Sequence, residues 1–184
     1  MTPRAYFAWE VDQLEKHEYY DGEVFAMAGG TERHAAITAN TTFSLIQSLR
    51  PRGCRVFSSG LRVQLTESRR YVYPDVSAVC EEPRFLDDDG LTLLNPTLVV
   101  EVLSESTMDF DRGTKAMWYR AIPSLQMLLV VSQDQPAATV YTRTDGRWLT
   151  EDHTGLDAQL DVLGTSLELA DLYLDVTFEE EASE

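Results

Sequence analysis

The chain has 184 residues, 43% of them hydrophobic and 25% charged, with a formal net charge of −16. That length can bury roughly 70% of the extended surface, so one domain over residues 1–178 followed by an acidic tail at 179–184 is expected. Apolar runs fall short of the roughly 18 residues a membrane span needs, and no basic start followed by an apolar stretch opens the chain. These features point to a soluble, cytoplasmic protein, and the acidity argues against one that coats nucleic acid with a basic face.

Thr2-Pro3 pairs a helix cap with a proline at the first helical position, predicting a short helix that ends near Lys16. Tyr19-Tyr20, Asp21-Gly22 and Glu23 to Met27 read as strand, type I′ turn and strand, because Asp-Gly accepts positive φ. Gly29-Gly30 interrupts, Thr31 caps, and Ile37, Thr41, Leu45 and Leu49 at four-residue steps predict an amphipathic helix stopped by Pro51. Short β-branched segments at 55–57, 61–65, 72–79 and 97–103 follow as strands, then a helix over 109–121 stopped by Pro123. Strands at 126–131, 139–143 and 147–150 complete the pattern. The strand, helix, strand order around 97–132 predicts a crossover onto a mixed sheet, an α/β (α+β) fold with a central mixed β-sheet flanked by helices.

Cys54 and Cys80 lack metal-site spacing and are expected to be reduced, structural thiols. The six arginines 50, 52, 55, 62, 69 and 70 share a short stretch whose only acid is Glu67. They form either a track for a nucleic-acid backbone or a solvated arginine-rich hairpin.

The most informative residue is Glu101, inside Leu98-Val99-Val100-Glu101-Val102-Leu103. An ionised carboxylate in an apolar strand costs several kcal/mol unless a metal, a cation or a proton offsets it. Alternation places Val99, Glu101 and Leu103 on one face and Leu98, Val100 and Val102 on the other, so both faces are apolar and the strand is central. Asp75 follows Pro74 at a strand entrance and supplies a second acid. Two such carboxylates, with the main-chain carbonyl of Val102, suit a hard divalent cation such as Mg²⁺ or Mn²⁺. Lys115 is one of only two lysines, against 13 arginines. A compact ammonium suits positioning a water or neutralising charge on a phosphorane, and its bland alternative is an i,i+4 pair with Asp111.

Together Tyr73-Pro74-Asp75-Val76, Pro96 to Ser104, Asp111-Arg112-Gly113-Thr114-Lys115, Tyr119, Asp21-Gly22-Glu23-Val24 and His34 resemble the Uma-type endonucleases, a domain of unknown function in the PD-(D/E)XK superfamily. The resemblance spans roughly residues 10 to 175. It implies a restriction-endonuclease-like core, with Asp75 and Glu101 as metal ligands. It also departs from the superfamily, since the lysine due two residues after Glu101 is Leu103 here. In this family that lysine is displaced to the following helix, and Lys115 matches the displaced position. Glu23 then reads as a supporting acid or as a surface strand-end acid. His34 reads as a phosphate contact, a partner of Glu23 or a proton carrier, or else as a solvated or locally bonded histidine.

The expected function is Mg²⁺- or Mn²⁺-dependent hydrolysis of DNA phosphodiester bonds. Asp75 and Glu101 bind metal, Lys115 assists water attack, and DNA is the partner despite the charge. Two alternatives stay open: a non-catalytic binding or oligomeric scaffold of the same fold, and a hydrolase of smaller phosphate esters. Because cutting a duplex takes two sites or two events, a homodimer is expected, with Trp9 or Trp148 as candidate interface aromatics.

Overall fold

The structure, a computed structural model, describes residues 1–27, 29–65, 69–86, 90–103 and 111–178, with the backbone alone at 111 and 112. Glu67, the Asp87-Asp88-Asp89 loop, Ser104, Asp109, the 179–184 tail and the Asp111 side chain of the proposed Lys115 pair lie outside the described residues.

Helix α1 (Pro3–Glu10) opens as expected, the Thr2 hydroxyl accepting from Ala5 N at 3.3 Å. It stops earlier than Lys16 because the Glu10 carboxylate turns to accept from His17 N at 2.9 Å, where strand β1 (His17–Tyr20) begins. Asp21 at φ 50° and Gly22 at φ 111° turn the chain into β2 (Glu23–Ala26), the type I′ geometry that Asp-Gly favours. Helix α2 (Glu32–Leu49) buries Ile37, Thr41, Leu45 and Leu49, and Pro51 converts its end to a 3₁₀ turn over Arg50–Arg52.

The run 72–79, expected as one strand, is two strands in different sheets. β5 (Arg70–Val72) ends and β6 (Val76–Val79) begins across Tyr73-Pro74-Asp75. Pro74 has no N–H to continue a ladder, so the chain leaves one sheet and enters the other here. With β3 (Arg55–Ser58), β4 (Arg62–Gln64), β7 (Thr92–Leu93), β8 (Leu98–Leu103), β9 (Met127–Ser132), β10 (Ala137–Thr144) and β11 (Arg147–Thr154), two sheets result. The larger runs β11-β10-β9-β8-β6-β3 and the smaller β2-β1-β5-β4-β7. In the larger sheet β8 and β9 are parallel, from Leu98↔Met127 to Leu103↔Ser132, and the other pairs are antiparallel. Helix α3 (Ala116–Arg120), entered through a π turn at Asp111–Lys115, lies between the two parallel strands in the chain. A hairpin of β12 (Gln159–Val162) and β13 (Thr165–Glu168) and the short helix α4 (Leu169–Leu172) follow, which the sequence patterns above do not anticipate.

The alternation in β8 sorts its side chains as expected. Leu98, Val100 and Val102 pack with Ile37, Leu45 and Leu49 of α2 and with Leu160 and Leu169. Val99 and Leu103 pack on the other face with Tyr119 of α3 and with Val63, Val72 and Leu93 of the smaller sheet. That sheet's far side holds Tyr6, Tyr19 and Tyr71 beneath α1. The larger sheet is thus covered on both faces, which is why β8 is apolar on both sides.

The cysteines correct the expectation of free thiols: Cys54 and Cys80 form a disulfide. They flank the antiparallel β3–β6 ladder one residue beyond the Arg55↔Val79 pair, so the fold sets directly opposite two residues that are 26 apart in the chain.

Candidate active site

Asp75 occupies the bend between the two sheets, where β8 runs alongside. Its Oδ2 accepts from Val102 N at 2.8 Å and its Oδ1 lies 3.2 Å from His34 Nε2. His34 stands in the first turn of α2, which Thr31 caps by accepting from His34 N at 3.1 Å. The hydrogen bond to Asp75 contributes most to raising the histidine pKa, with the Asp75 and Glu101 charges and the Val102 backbone adding to it against the opposing effect of burial. Room for the ring comes from Gly30, where a Cβ would fall 2.6 Å from His34 Nδ1.

On the opposite face of β8, Glu101 points into the layer beneath α3. Its Oε1 accepts from Tyr119 OH at 2.5 Å and lies 3.1 Å from Lys115 Nζ. Lys115 Nζ also donates to Glu18 Oε1 at 3.0 Å, and that oxygen accepts from Tyr73 N at 3.3 Å. Glu18 Oε2 accepts from Tyr20 OH. Burial dominates the electrostatics: it lifts the Glu101 carboxyl to about 7, against the opposing pull of the Lys115 ammonium and the Tyr119 hydroxyl. The same burial raises the Tyr119 and Tyr20 phenols, which stay protonated as donors.

The site therefore threads through the sheet. His34 comes from the α2 side to Asp75, which lies in the bend beside β8 near enough to act on the Glu101 charge, while Glu101, Lys115, Tyr119 and Glu18 meet on the α3 side. Leu103 packs in the core, and the end of the π turn carries Lys115 to Glu101. A groove of about 920 Å³ opens at His34 and Asp75 and runs along α2 past Thr38, Phe43 and Ile46, with Lys16 on its far wall.

Among the described residues, no three His, Cys, Asp or Glu side chains stand together as a metal-holding group. A cation here would need the Val102 carbonyl and water beside Asp75 and Glu101. Two carboxylates and a main-chain carbonyl are the oxygen donors that suit a hard divalent ion.

Other candidates lie elsewhere. Glu23 is exposed on the edge strand β2, and His34 turns to Asp75 instead of to Glu23. The six arginines do not share a face. Arg62 is 3% exposed, donating to Thr92 Oγ1 at 2.9 Å and to Tyr73 OH at 3.3 Å, with its guanidinium over Phe7. Arg70 is bonded to Asp21 at 2.6 Å and stacks on Trp118. Arg50 and Arg52 lie at the far end of α2 from His34, about 24 Å along its axis, and Arg52 donates to Gly164 O at 3.1 Å. Arg55 approaches Glu82 at 3.7 Å, and Arg69 is exposed just before the start of β5.

Sequence reasoning missed Glu18, and it noted Tyr119 only within a motif. The available signal was parity: in His17–Tyr20 the buried Tyr19 faces α1, which turns Glu18 and Tyr20 the other way, toward the layer that holds Glu101.

Residues 3–177 match the model of a family described as Uma2, "Putative restriction endonuclease". Two proteins of Synechocystis sp. (strain ATCC 27184 / PCC 6803 / Kazusa) are similar over most of their length. "Uncharacterized protein slr1290" is 34% identical over 180 residues, 97% of this chain and 94% of that one. "Uncharacterized protein sll1609" is 34% identical over 162 residues, 88% and 92% respectively. Among solved structures, a "putative nuclease belonging to DUF820" from Anabaena variabilis ATCC 29413 superposes with a TM-score of 0.74. It is 20% identical and covers 94% of this chain and 97% of its own, a likeness of fold.

Proposed function

The chain belongs to the Uma2 family of restriction-endonuclease-like proteins, and from that premise we propose that it is a divalent-metal-dependent endonuclease hydrolysing DNA phosphodiester bonds. The observation that carries the reading is Lys115 Nζ at 3.1 Å from the buried Glu101, in a chain where the in-strand lysine position is Leu103. An ammonium brought from another element to the one acid in a buried strand is costly for stability alone, since an apolar pair would fill the space without desolvating charge.

Asp75, Glu101 and the Val102 carbonyl would hold Mg²⁺ or Mn²⁺, which supplies Lewis-acid polarisation of a phosphoryl oxygen. The chain's own groups do the rest. Lys115, fixed between Glu18 and Glu101, orients the attacking water and offsets negative charge building on the phosphorus oxygens. The water oxygen bonds to phosphorus, the P–O bond to the leaving strand breaks, and the protons pass through neighbouring water and His34 beside Asp75. Tyr119 holds Glu101 in place by donating to the oxygen that also faces Lys115.

Supercoiled plasmid incubated with Mn²⁺ and purified protein tests this. Nicked or linear product should form, and Asp75→Ala and Lys115→Ala should each lower the rate by at least about 10²-fold. Metal binding by the wild type without cleavage of any DNA form would favour the scaffold reading, and cleavage unaffected by Lys115→Ala would remove its assigned role.

A further inference from the structure

The larger sheet ends in β11, eight residues long, whereas the other outer strands, β3, β2 and β7, have four, four and two. Its hairpin to β10 turns through Asp145 at φ 50° and Gly146 at φ 76°, with Thr144 opposite Arg147. In such a two-residue hairpin the closing pair is hydrogen-bonded, so Arg147, Leu149, Glu151 and His153 aim their main-chain groups at β10. Trp148, Thr150, Asp152 and Thr154 aim theirs outward along the edge. Arg147, Leu149 and Glu151 also present their side chains on one face, all three exposed, Leu149 by 53%.

We propose that this edge is a self-association surface on which two copies pair antiparallel about Leu149, making one continuous twelve-stranded sheet. An edge with free donors and acceptors is a template for another strand, and the side chains select both the partner and the register. Hydrogen bonding requires outward residues to face outward residues. Centring on Leu149 meets that condition, with Trp148 opposite Thr150 of the second copy and the reverse. The alternate, closer pairs are then Leu149 on Leu149 and Arg147 on Glu151, twice by symmetry. Apolar meets apolar at the centre, and opposite charges close both sides.

Neighbouring registers lose this match. Centring on Thr150 sets Leu149 against Glu151 and Arg147 against His153, and centring on Glu151 sets that carboxylate against its own copy. Asp152 does not oppose the chosen register, since it falls opposite Gly146 and its Oδ1 already accepts from Thr139 Oγ1 at 2.6 Å.

Sedimentation of the full chain at tens of micromolar tests the proposal. The wild type should give twice the 20.8 kDa chain mass. Thr150→Pro removes an outward N–H and leaves the β10 ladder intact, so it should give a folded monomer by circular dichroism. Glu151→Arg sets arginine against arginine and should weaken association about tenfold or more, and the double exchange Arg147→Glu/Glu151→Arg should restore it. That restoration tests the register even where Thr150→Pro fails to fold. Under mild oxidation Leu149→Cys should cross-link two copies and Glu151→Cys should not. A monomeric wild type, a dimer indifferent to Glu151→Arg, or no recovery in the double exchange overturns the proposal.

Discussion

Glu101 is the residue at which competing energies are most exposed. Burial favours its acid form, while Lys115 and Tyr119 favour the carboxylate, and burial wins, holding the carboxyl at about 7 against an ordinary 4.5. Folding therefore favours the protonated group. This stabilisation is largest below about 4.5 relative to alkaline conditions and is lost as pH rises through about 7, a difference on the order of 3 kcal/mol. His34, also raised, adds stability that is complete below its ordinary value of 6.5 and disappears as pH passes its folded value. Both act in one direction, so the melting temperature should fall between pH 5 and pH 8. Glu101→Gln should flatten that slope, and melting curves of equal slope in the two proteins would contradict the assignment. Tyr119→Phe removes a donor to the same oxygen. It should cost about 1.5–3 kcal/mol at pH 8 and less at pH 5, where the carboxyl is protonated, as urea unfolding at both pH values would reveal.

At the scale of elements, what was legible follows how locally each is specified. The α2 stripe and the β8 alternation depend on residues three to four or two apart, and both appear as the pattern predicts. The Asp-Gly turn needs only two residues with positive φ. By contrast, the break at Pro74 was misjudged because one apolar run feeds two sheets, and the sheet to which a strand belongs is decided by distant partners. The disulfide escaped for the same reason: β3 and β6 are neighbours only after folding. Within the site, Asp75, Glu101 and Lys115 could be named from motifs, whereas Glu18 joins them through a sheet contact 97 residues away in the chain from Lys115. Cys54–Cys80 closes a loop whose separation of 26 residues corresponds to about 3.5 kcal/mol of lost freedom in the unfolded chain. Cys54→Ser/Cys80→Ser should lower unfolding stability by about that amount, as should a thiol reductant on the wild type. A urea midpoint insensitive to both would show that the bridge does not contribute.

For the whole molecule, the charge of −16 and the scattered arginines set how a polyanion can be held. Among the described residues, Lys16 and His34 line the groove and Lys115 stands at Glu101, a set that can neutralise two or three phosphates. Binding of Asp75→Ala protein to a labelled duplex should therefore lose affinity with salt at a slope of about −2 to −3 on logarithmic axes. A slope beyond about −6 would require a basic track that the distribution of Arg50, Arg52, Arg55, Arg62, Arg69 and Arg70 does not provide. The triple change of Arg50, Arg52 and Arg55 to Ala should leave affinity within about twofold, because these side chains lie away from the groove end at His34 and Asp75.

The threading of the site through β8 has a further consequence for a chain that is still folding. Neither half is complete by itself: the α2 layer brings His34 to Asp75, and the α3 layer brings Lys115 to Glu101. On the proposed reading, a molecule with only one layer docked holds half the apparatus. The full cluster of side chains thus comes together only in the finished tertiary structure.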